Sequence, residues 1–441
     1  MKTSRGPADL KLLQEMNRAK VLETIRASGP IARVDIARQT HLSPTTVASL
    51  VSDLIADGWV RSVGEGRSRG GRKPTLLEFN ARAGYIVAVD VTDSYLTTAL
   101  TDLNAQELEQ ERTIPHQLAG DALAERIGAE VGRVLSTGGA RELPVVGIGI
   151  STPGLVDAGA GVIRYSLKLN WMDLPLGPAL AQRFHNPVYV ENDTNAAAIG
   201  EKWFGAGRPF ANMVYVSIGS GVGAGLILNG EVFRGFTGSA GELGHMSIDK
   251  GGERCECGNI GCLENLVAWP AIWARVTKAV KRGVPTVITE IVENIDQVTP
   301  EILNKAALAG DQLAVNALAE AGVSLGIGLA NLINLLNPEA IILGGSLLGE
   351  KSFMLQHVRK TMATHGLKVP GAAVRLIPNQ LGEKARLFGV ASIVLHNLLA
   401  TKFWPSFAEE IAEPSLAGEN QRAGGVAPDS TPPPANYENG G

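Results

Sequence analysis

The chain has 441 residues, 45% of them hydrophobic and 19% charged, too long for one ordinary core and too apolar for general disorder, so two or three folded domains are expected. Its start, MKTSRGPADLKLLQEMN, has no apolar h-region, and no run of about 18 consecutive apolar residues occurs, which argues against secretion and membrane spanning and for a cytoplasmic protein. The formal net charge of −4 is uneven: residues 1–80 hold 13 Lys and Arg against 8 Asp and Glu, and the remainder 27 against 36. A basic head on an acidic body points to a polyanion partner for the head, with a merely solvated basic face as the alternative.

In residues 8–28, Leu12, Leu13, Met16, Val21, Leu22 and Ile25 recur at helical spacing until Gly29-Pro30 stops the helix. RVDIARQT, residues 33–40, reads as a short amphipathic helix, and a turn follows at His41-Leu42. Ser43 then caps, and Pro44 opens, a third helix through Ile55, because proline lacks the very N–H that a first turn leaves unpaired. Val47, Leu50, Val51 and Leu54 form its inner face, which leaves Ser43, Pro44, Thr45, Thr46 and Ser49 to lie against DNA. Two short strands, 59–63 and 75–79, flank GEGRSRGGRKP, whose Arg67, Arg69, Arg72 and Lys73 stand on a glycine-rich backbone suited to close approach to phosphates or the minor groove. Helix, turn, helix and wing in this order predict a winged helix-turn-helix over residues 1–80, with 43–55 reading the major groove of an operator duplex.

From Gly84 the texture changes. YIVAVDV, LTTALTD, VVGIGIS, PVYVEND and MVYVSIG are apolar runs of strand length between helical or glycine-rich segments, an α/β pattern. A long apolar helix spans 311–336 and leads to the strand AIILGG, and 384–401 reads as a last helix. Beyond Phe407 the Pro-, Gly- and Asn-rich sequence predicts a disordered tail.

Three constellations carry chemistry. All three cysteines fall in Cys255-x-Cys257-x4-Cys262, with His245 just upstream, and four such ligands make the closed tetrahedral set of a structural zinc. An odd cysteine count in a cytoplasmic chain argues against a disulfide. Glu191-Asn192-Asp193 ends the strand VYV. A carboxylate there can act as base toward a sugar hydroxyl and Asn192 can hydrogen-bond one, although strand-end carboxylates also serve simply as helix caps. Gly219-x-Gly221-x-Gly223 follows VYVSI and reads either as a phosphate-cradling loop or as a glycine-rich hairpin without a ligand.

Together these residues resemble the ROK family of repressors and sugar kinases. GFTGSAGELGHMSID followed by CECGNIGCLEN matches its zinc signature without gaps, and STPGLVD, ENDTNAAAIGE, SIGSGVGAGLILNG and NPEAIILGGSL resemble its other motifs in the family's order, over about residues 15–400. The head, including its GGRKP wing end, is similar to the repressor branch of xylose- and N-acetylglucosamine-repressor type. The resemblance implies a two-lobed actin-like ATPase (sugar kinase/RNase H-like) body, with a sugar effector contacted by Asn192, Asp193, Glu242, His245 and Glu264. The implied division is a first lobe over 84–205, a second lobe with the zinc loop over 206–383, a C-terminal helix over 384–404 and the tail over 405–441. Kinases of this fold open with an Asp-x-Gly-x-Thr phosphate loop, whereas this chain reads Asp90-Val91-Thr92-Asp93-Ser94, adding bulk and negative charge where phosphates would lie. The expectation is therefore a sugar-responsive transcription regulator rather than an enzyme, acting as a homodimer or homotetramer on two half-sites. Asp90, Gly219, Gly221, Gly223, Gly344 and Gly345 would remain as a vestigial nucleotide site. The alternatives are an active sugar kinase with Asp193 as its base, and a metal-sensing regulator.

Overall fold

The computed structural model describes residues 7–67, 73–114, 119–136, 144–345, 347–349 and 351–402; Arg69, Arg72 and the tail expected over 405–441 lie outside them. At the start of the chain the helices Pro7–Ser28, Arg33–Thr40 and Pro44–Ala56 bury Val21, Leu22, Ile25, Ile36, Val47, Leu50, Val51 and Leu54. Strands Val60–Glu65 and Thr75–Phe79 pair antiparallel with a bulge between Ser62 and Gly64. A third strand, Ile31–Ala32, pairs with Thr75–Phe79; two residues are too few to show a period in the sequence.

The body is built on two five-stranded sheets that share one strand order. In the first the order is Val188–Asn192, Val145–Thr152, Tyr85–Val91, Leu96–Asp102, Glu107–Thr113. In the second it is Arg375–Pro378, Ala340–Gly344, Met213–Ile218, Val222–Leu228, Glu231–Val232. Each sheet has three parallel strands and, beyond the first of them in sequence, two antiparallel ones. The inner strands are apolar runs because they are covered on both faces. Glu107–Thr113, reading ELEQERT, is an exposed edge whose charges discourage pairing with another chain, and the same charges hide it from a hydrophobicity reading. A small antiparallel sheet of Leu155–Asp157, Val162–Ser166 and Trp171–Leu174 was likewise not expected.

Helix Gln312–Leu336 is long and apolar enough to cross a membrane by length and composition. Its Ala314, Leu318, Ala321, Leu325, Leu329 and Ile333 are instead buried in the second-lobe core, the place of a core helix. The last helix, Ala385–Lys402, returns to the first sheet, where Val390 and Val394 lie over Gly149 and Gly147. It also packs along helix Asp193–Phe204 at very short range: a Cβ on Gly389 would meet the Ala196 carbonyl oxygen at 1.8 Å, and one on Gly200 would meet that of Ala385 at 2.0 Å. Only glycine permits this approach, and it makes the two helices one body.

Candidate functional site

Strand Val188–Asn192 ends where helix Asp193–Phe204 begins, and that junction carries the first group of polar side chains. Asn192 is the helix cap: its Oδ1 accepts from Thr194 N at 2.9 Å and Asn195 N at 3.0 Å, while its Nδ2 donates to Gly154 O at 3.0 Å. One amide N–H of Asn192 is left to offer. Asp193 accepts from Thr194 N through Oδ1 at 2.8 Å, in the first turn, where the helix dipole favours a carboxylate. Glu191 is buried; its Oε2 accepts from Arg234 Nε at 2.9 Å and Nη2 at 2.6 Å, and its Oε1 accepts from Asn195 Nδ2 at 3.2 Å. Arg234 precedes the loop to Glu242, so this ion pair ties the first lobe to the second. Sequence reading missed Arg234 because its partner lies 43 residues away.

Near Asp193 lie Glu242 and Glu264. Burial holds the Glu242 carboxyl above the usual carboxylate range, with His245 pulling it down and the charges of Asp193 and Glu264 adding to the rise. Asp193 and Glu264 are therefore near enough for their charges to act on Glu242, and the three carboxyl groups border one space. Glu264 heads the short helix Glu264–Val267, and its Oε2 accepts from Val222 N at 2.8 Å. Lys168 closes one side by donating to Ser220 Oγ at 2.9 Å across the lobes.

His245 joins this space to the cysteines. The ligand atoms of His245, Cys255, Cys257 and Cys262 all lie within 4.8 Å of one another. Cys255 Sγ is 3.7 Å from His245 Nδ1, and Cys257 Sγ is 3.7 Å from Cys262 Sγ. That sulfur separation is far beyond a disulfide bond of about 2.05 Å. It matches the roughly 3.8 Å that two thiolates take up on a tetrahedral zinc with Zn–S of about 2.3 Å. Nε2 of His245 lies 3.9 Å from Glu242 Oε2, within ion-pair range but too far for a hydrogen bond. The residues fit a metal ion, and the cluster sits where it would brace Glu242 and Glu264.

Asp90 is buried at the end of Tyr85–Val91, and Arg386 of the last helix occupies its carboxylate: Nε lies 2.9 Å from both oxygens, and Ser151 Oγ donates to Oδ1 at 3.0 Å. Burial raises the Asp90 carboxyl against the opposing pull of Arg386 and Ser151. For Arg386, burial alone would lower the guanidinium, but Asp90, Tyr95 and Asp193 outweigh it and keep it charged. Arg386 also donates to Tyr95 Oη at 2.6 Å. Thr92 closes the hairpin, its Oγ1 donating to Tyr95 O at 2.9 Å and accepting from Tyr95 N at 2.9 Å. Of the glycines, Gly219 and Gly221 form a tight turn, Gly219 N donating to Gly221 O at 3.0 Å. Gly223 lies within strand Val222–Leu228, where a Cβ would stand 2.5 Å from Thr194 Oγ1. Gly344 ends its strand and Gly345 follows at φ +98°.

On the head, Ser43 Oγ accepts from Thr46 N at 3.1 Å. Ser43, Pro44, Thr45 and Ser49 are exposed and Thr46 is half-buried, its hydroxyl 2.8 Å from Ser43 Oγ. Arg67 and Lys73 are exposed at the two roots of the wing, with Lys73 Nζ 3.9 Å from Glu65 Oε2.

A family model described as "ROK family" matches residues 86–397, and one described as "Winged helix-turn-helix DNA-binding" matches residues 17–61. The chain is 34% identical over 396 residues to the xylose repressor of Bacillus subtilis, covering 89% of this chain and 98% of that one. A solved ROK family transcriptional regulator, described as a homologue of the Escherichia coli MLC protein, superposes with a TM-score of 0.79 at 31% identity, covering 89% of this chain and 99% of that one. A ROK glucokinase from Streptomyces griseus, solved with glucose and AMPPNP, superposes with a TM-score of 0.62 at 28% identity, covering 70% of this chain and 99% of that one.

Proposed function

This chain belongs to the ROK family, and we propose that it is a sugar-responsive transcriptional repressor of carbohydrate genes, reading operator DNA with its head and a sugar in the cleft between its lobes. One observation carries the regulator over the kinase: Arg386 fills the carboxylate of Asp90, at the end of the first body strand. A guanidinium held there by charge and burial stands where a metal–nucleotide complex would be needed, and phosphoryl transfer depends almost wholly on such positioning. The head supports the same reading, with a capped third helix offering Ser43, Pro44, Thr45, Thr46 and Ser49 and a wing offering Arg67, Arg69, Arg72 and Lys73. A repressor reading two half-sites works as a pair or a tetramer of chains in the cytoplasm.

In the cleft, Asp193, Glu242 and Glu264 supply acceptors for sugar hydroxyls and Asn192 supplies its remaining amide N–H. His245 would turn Nδ1 to zinc and Nε2 toward Glu242 and the sugar. Zinc held by His245, Cys255, Cys257 and Cys262 would serve as a cross-link that fixes the loop bearing Glu264. Because Asp193 belongs to one lobe and Glu242 and Glu264 to the other, a sugar that satisfies both sets favours a closed cleft, and binding energy becomes lobe movement. The kinase remains the second reading because Asp193 Oδ1 takes the Thr194 N–H, leaving Oδ2 for a sugar hydroxyl. Incubation with ATP and a panel of D-xylose, D-glucose and N-acetyl-D-glucosamine separates the two: sugar-dependent DNA binding without sugar phosphate is expected, and sugar phosphate at enzymatic rates would overturn the regulator reading.

A further inference from the structure

Helix Asp193–Phe204 has its two ends in different places. Its first turn carries Asp193; its last carries Trp203 and Phe204, 12 residues in all, which puts them about 15–17 Å from Asp193 at 1.5 Å per residue. There the guanidinium carbon of Arg26, on the head helix Pro7–Ser28, lies 4.6 Å from the centroid of the Trp203 ring. Arg26 is aimed by Glu23, which accepts from Nε at 3.0 Å and Nη2 at 2.8 Å, and its side chain is only 11% exposed. A cation over an indole face is strongest when so desolvated. Phe204 meets the Phe388 ring at 5.3 Å, and the glycine-mediated approach of Gly200 and Gly389 locks the helix to the last one.

The head has a second attachment at its covalent junction, where Leu103 N donates to Ala81 O at 3.0 Å. Between the two attachments lies an open polar cavity of about 550 Å³ whose walls include Ile25, Arg26 and Gly29 of the head and Arg82, Asp102 and Gln106 of the body. The head is thus held at its junction, where Phe79 of the head and Leu103 and Ala105 of the body belong to one buried apolar cluster, and again by Arg26 over Trp203 beside the cavity, so a shift of Trp203 relative to the junction tilts the head.

We propose that Arg26 and Trp203 are the positioning pair through which the cleft sets the angle of the DNA-binding head. The inference rests on the reading that the cleft takes a sugar and the head reads DNA. A sugar drawing Asp193 toward Glu242 and Glu264 shifts the two interlocked helices together over the first sheet, which bears the junction at Leu103, and their far end carries Trp203 with it. Helix shifts of about 1–2 Å are ordinary in such transitions, and a guanidinium seated over an indole ring loses its register over that distance while the junction keeps the head attached.

The test uses the full-length chain, the three sugars named above, and a duplex enriched by the wild-type chain from a random-sequence library. The readouts are sugar affinity by calorimetry, the thermal transition, and the ratio of duplex affinity without and with the responding sugar. A wild-type ratio of about 5- to 150-fold is expected. Trp203→Ala and Arg26→Met are expected to bring it close to one with sugar affinity kept, and Trp203→Phe to preserve it. Should Trp203→Ala lose its thermal transition, Arg26→Met decides the matter, since it keeps the aliphatic stem. Variants that respond as strongly as a responding wild type overturn the inference alone. A wild-type chain whose duplex affinity ignores every sugar overturns the underlying reading and this inference with it.

Discussion

Replacing Arg386 with methionine keeps the stem of the side chain and removes the charge that holds Asp90. Asp90 is 2% exposed, and in the variant Ser151 is the one remaining donor named above. An ion left alone in such a place costs about 3–5 kcal/mol. The cheapest escape is protonation, and at 1.36 kcal/mol per pH unit above an ordinary carboxyl value of about 3.9, that costs about 4 kcal/mol at pH 7 and about 1.5 kcal/mol at pH 5. The folded variant then holds a proton that the unfolded chain has released, so its stability rises as pH falls from 7 toward 4. Thermal unfolding of Arg386→Met and of wild type at pH 5 and pH 7 measures this: the deficit should be large at pH 7 and shrink by more than half at pH 5. Asp90→Asn combined with Arg386→Met, which removes both charges, should recover much of the loss. A single variant as stable as wild type at pH 7, or with a deficit independent of pH, would refute the claim that Arg386 neutralises a buried Asp90.

Elemental analysis is expected to find one zinc per wild-type chain, and Cys257→Ser should abolish it and, by loosening the loop that ends at Glu264, weaken sugar binding; native zinc content with the variant would reject the four-ligand site. Alanine at Arg67, Arg69 and Arg72 should shallow the salt dependence of duplex binding by about one unit for each lost phosphate contact, and an unaltered slope would remove the wing from the interface. Gly389→Ala places a methyl against the Ala196 carbonyl oxygen, at 1.8 Å without rearrangement, and should lower the unfolding midpoint well beyond the few tenths of a kcal/mol of an ordinary surface change, about ±0.5 kcal/mol.

What was legible in the sequence was local. Ser43-Pro44 announced its helix because a cap and a first-turn proline act within four residues, and the apolar runs from Tyr85 onward announced buried strands. The cysteine cluster was legible for the same reason, since Cys255, Cys257 and Cys262 lie within one loop. Arg234 and Arg386 were not legible: each is an unremarkable arginine until the fold brings it to Glu191 or Asp90, the latter 296 residues away. Gly223 shows the converse. Its spacing read either as a phosphate loop or as a plain glycine-rich hairpin, and its lack of a side chain is required by Thr194 packing on the strand. Asn192, read as a hydrogen-bonding partner for a sugar, already spends its carbonyl oxygen on the helix it caps. The Arg26–Trp203 contact joins a head and a body whose patterns look independent along the chain.

The central claim is that a sugar bound across the lobes changes DNA affinity, and the most direct measurement is duplex affinity of wild type and Asp193→Asn over a titration of the responding sugar. The account predicts a shift of about 5- to 150-fold for wild type, and for Asp193→Asn an unchanged sugar-free affinity with the shift displaced to higher sugar concentration, because the shape is kept and the charged acceptor lost. A variant that responds at the wild-type sugar concentration would contradict it.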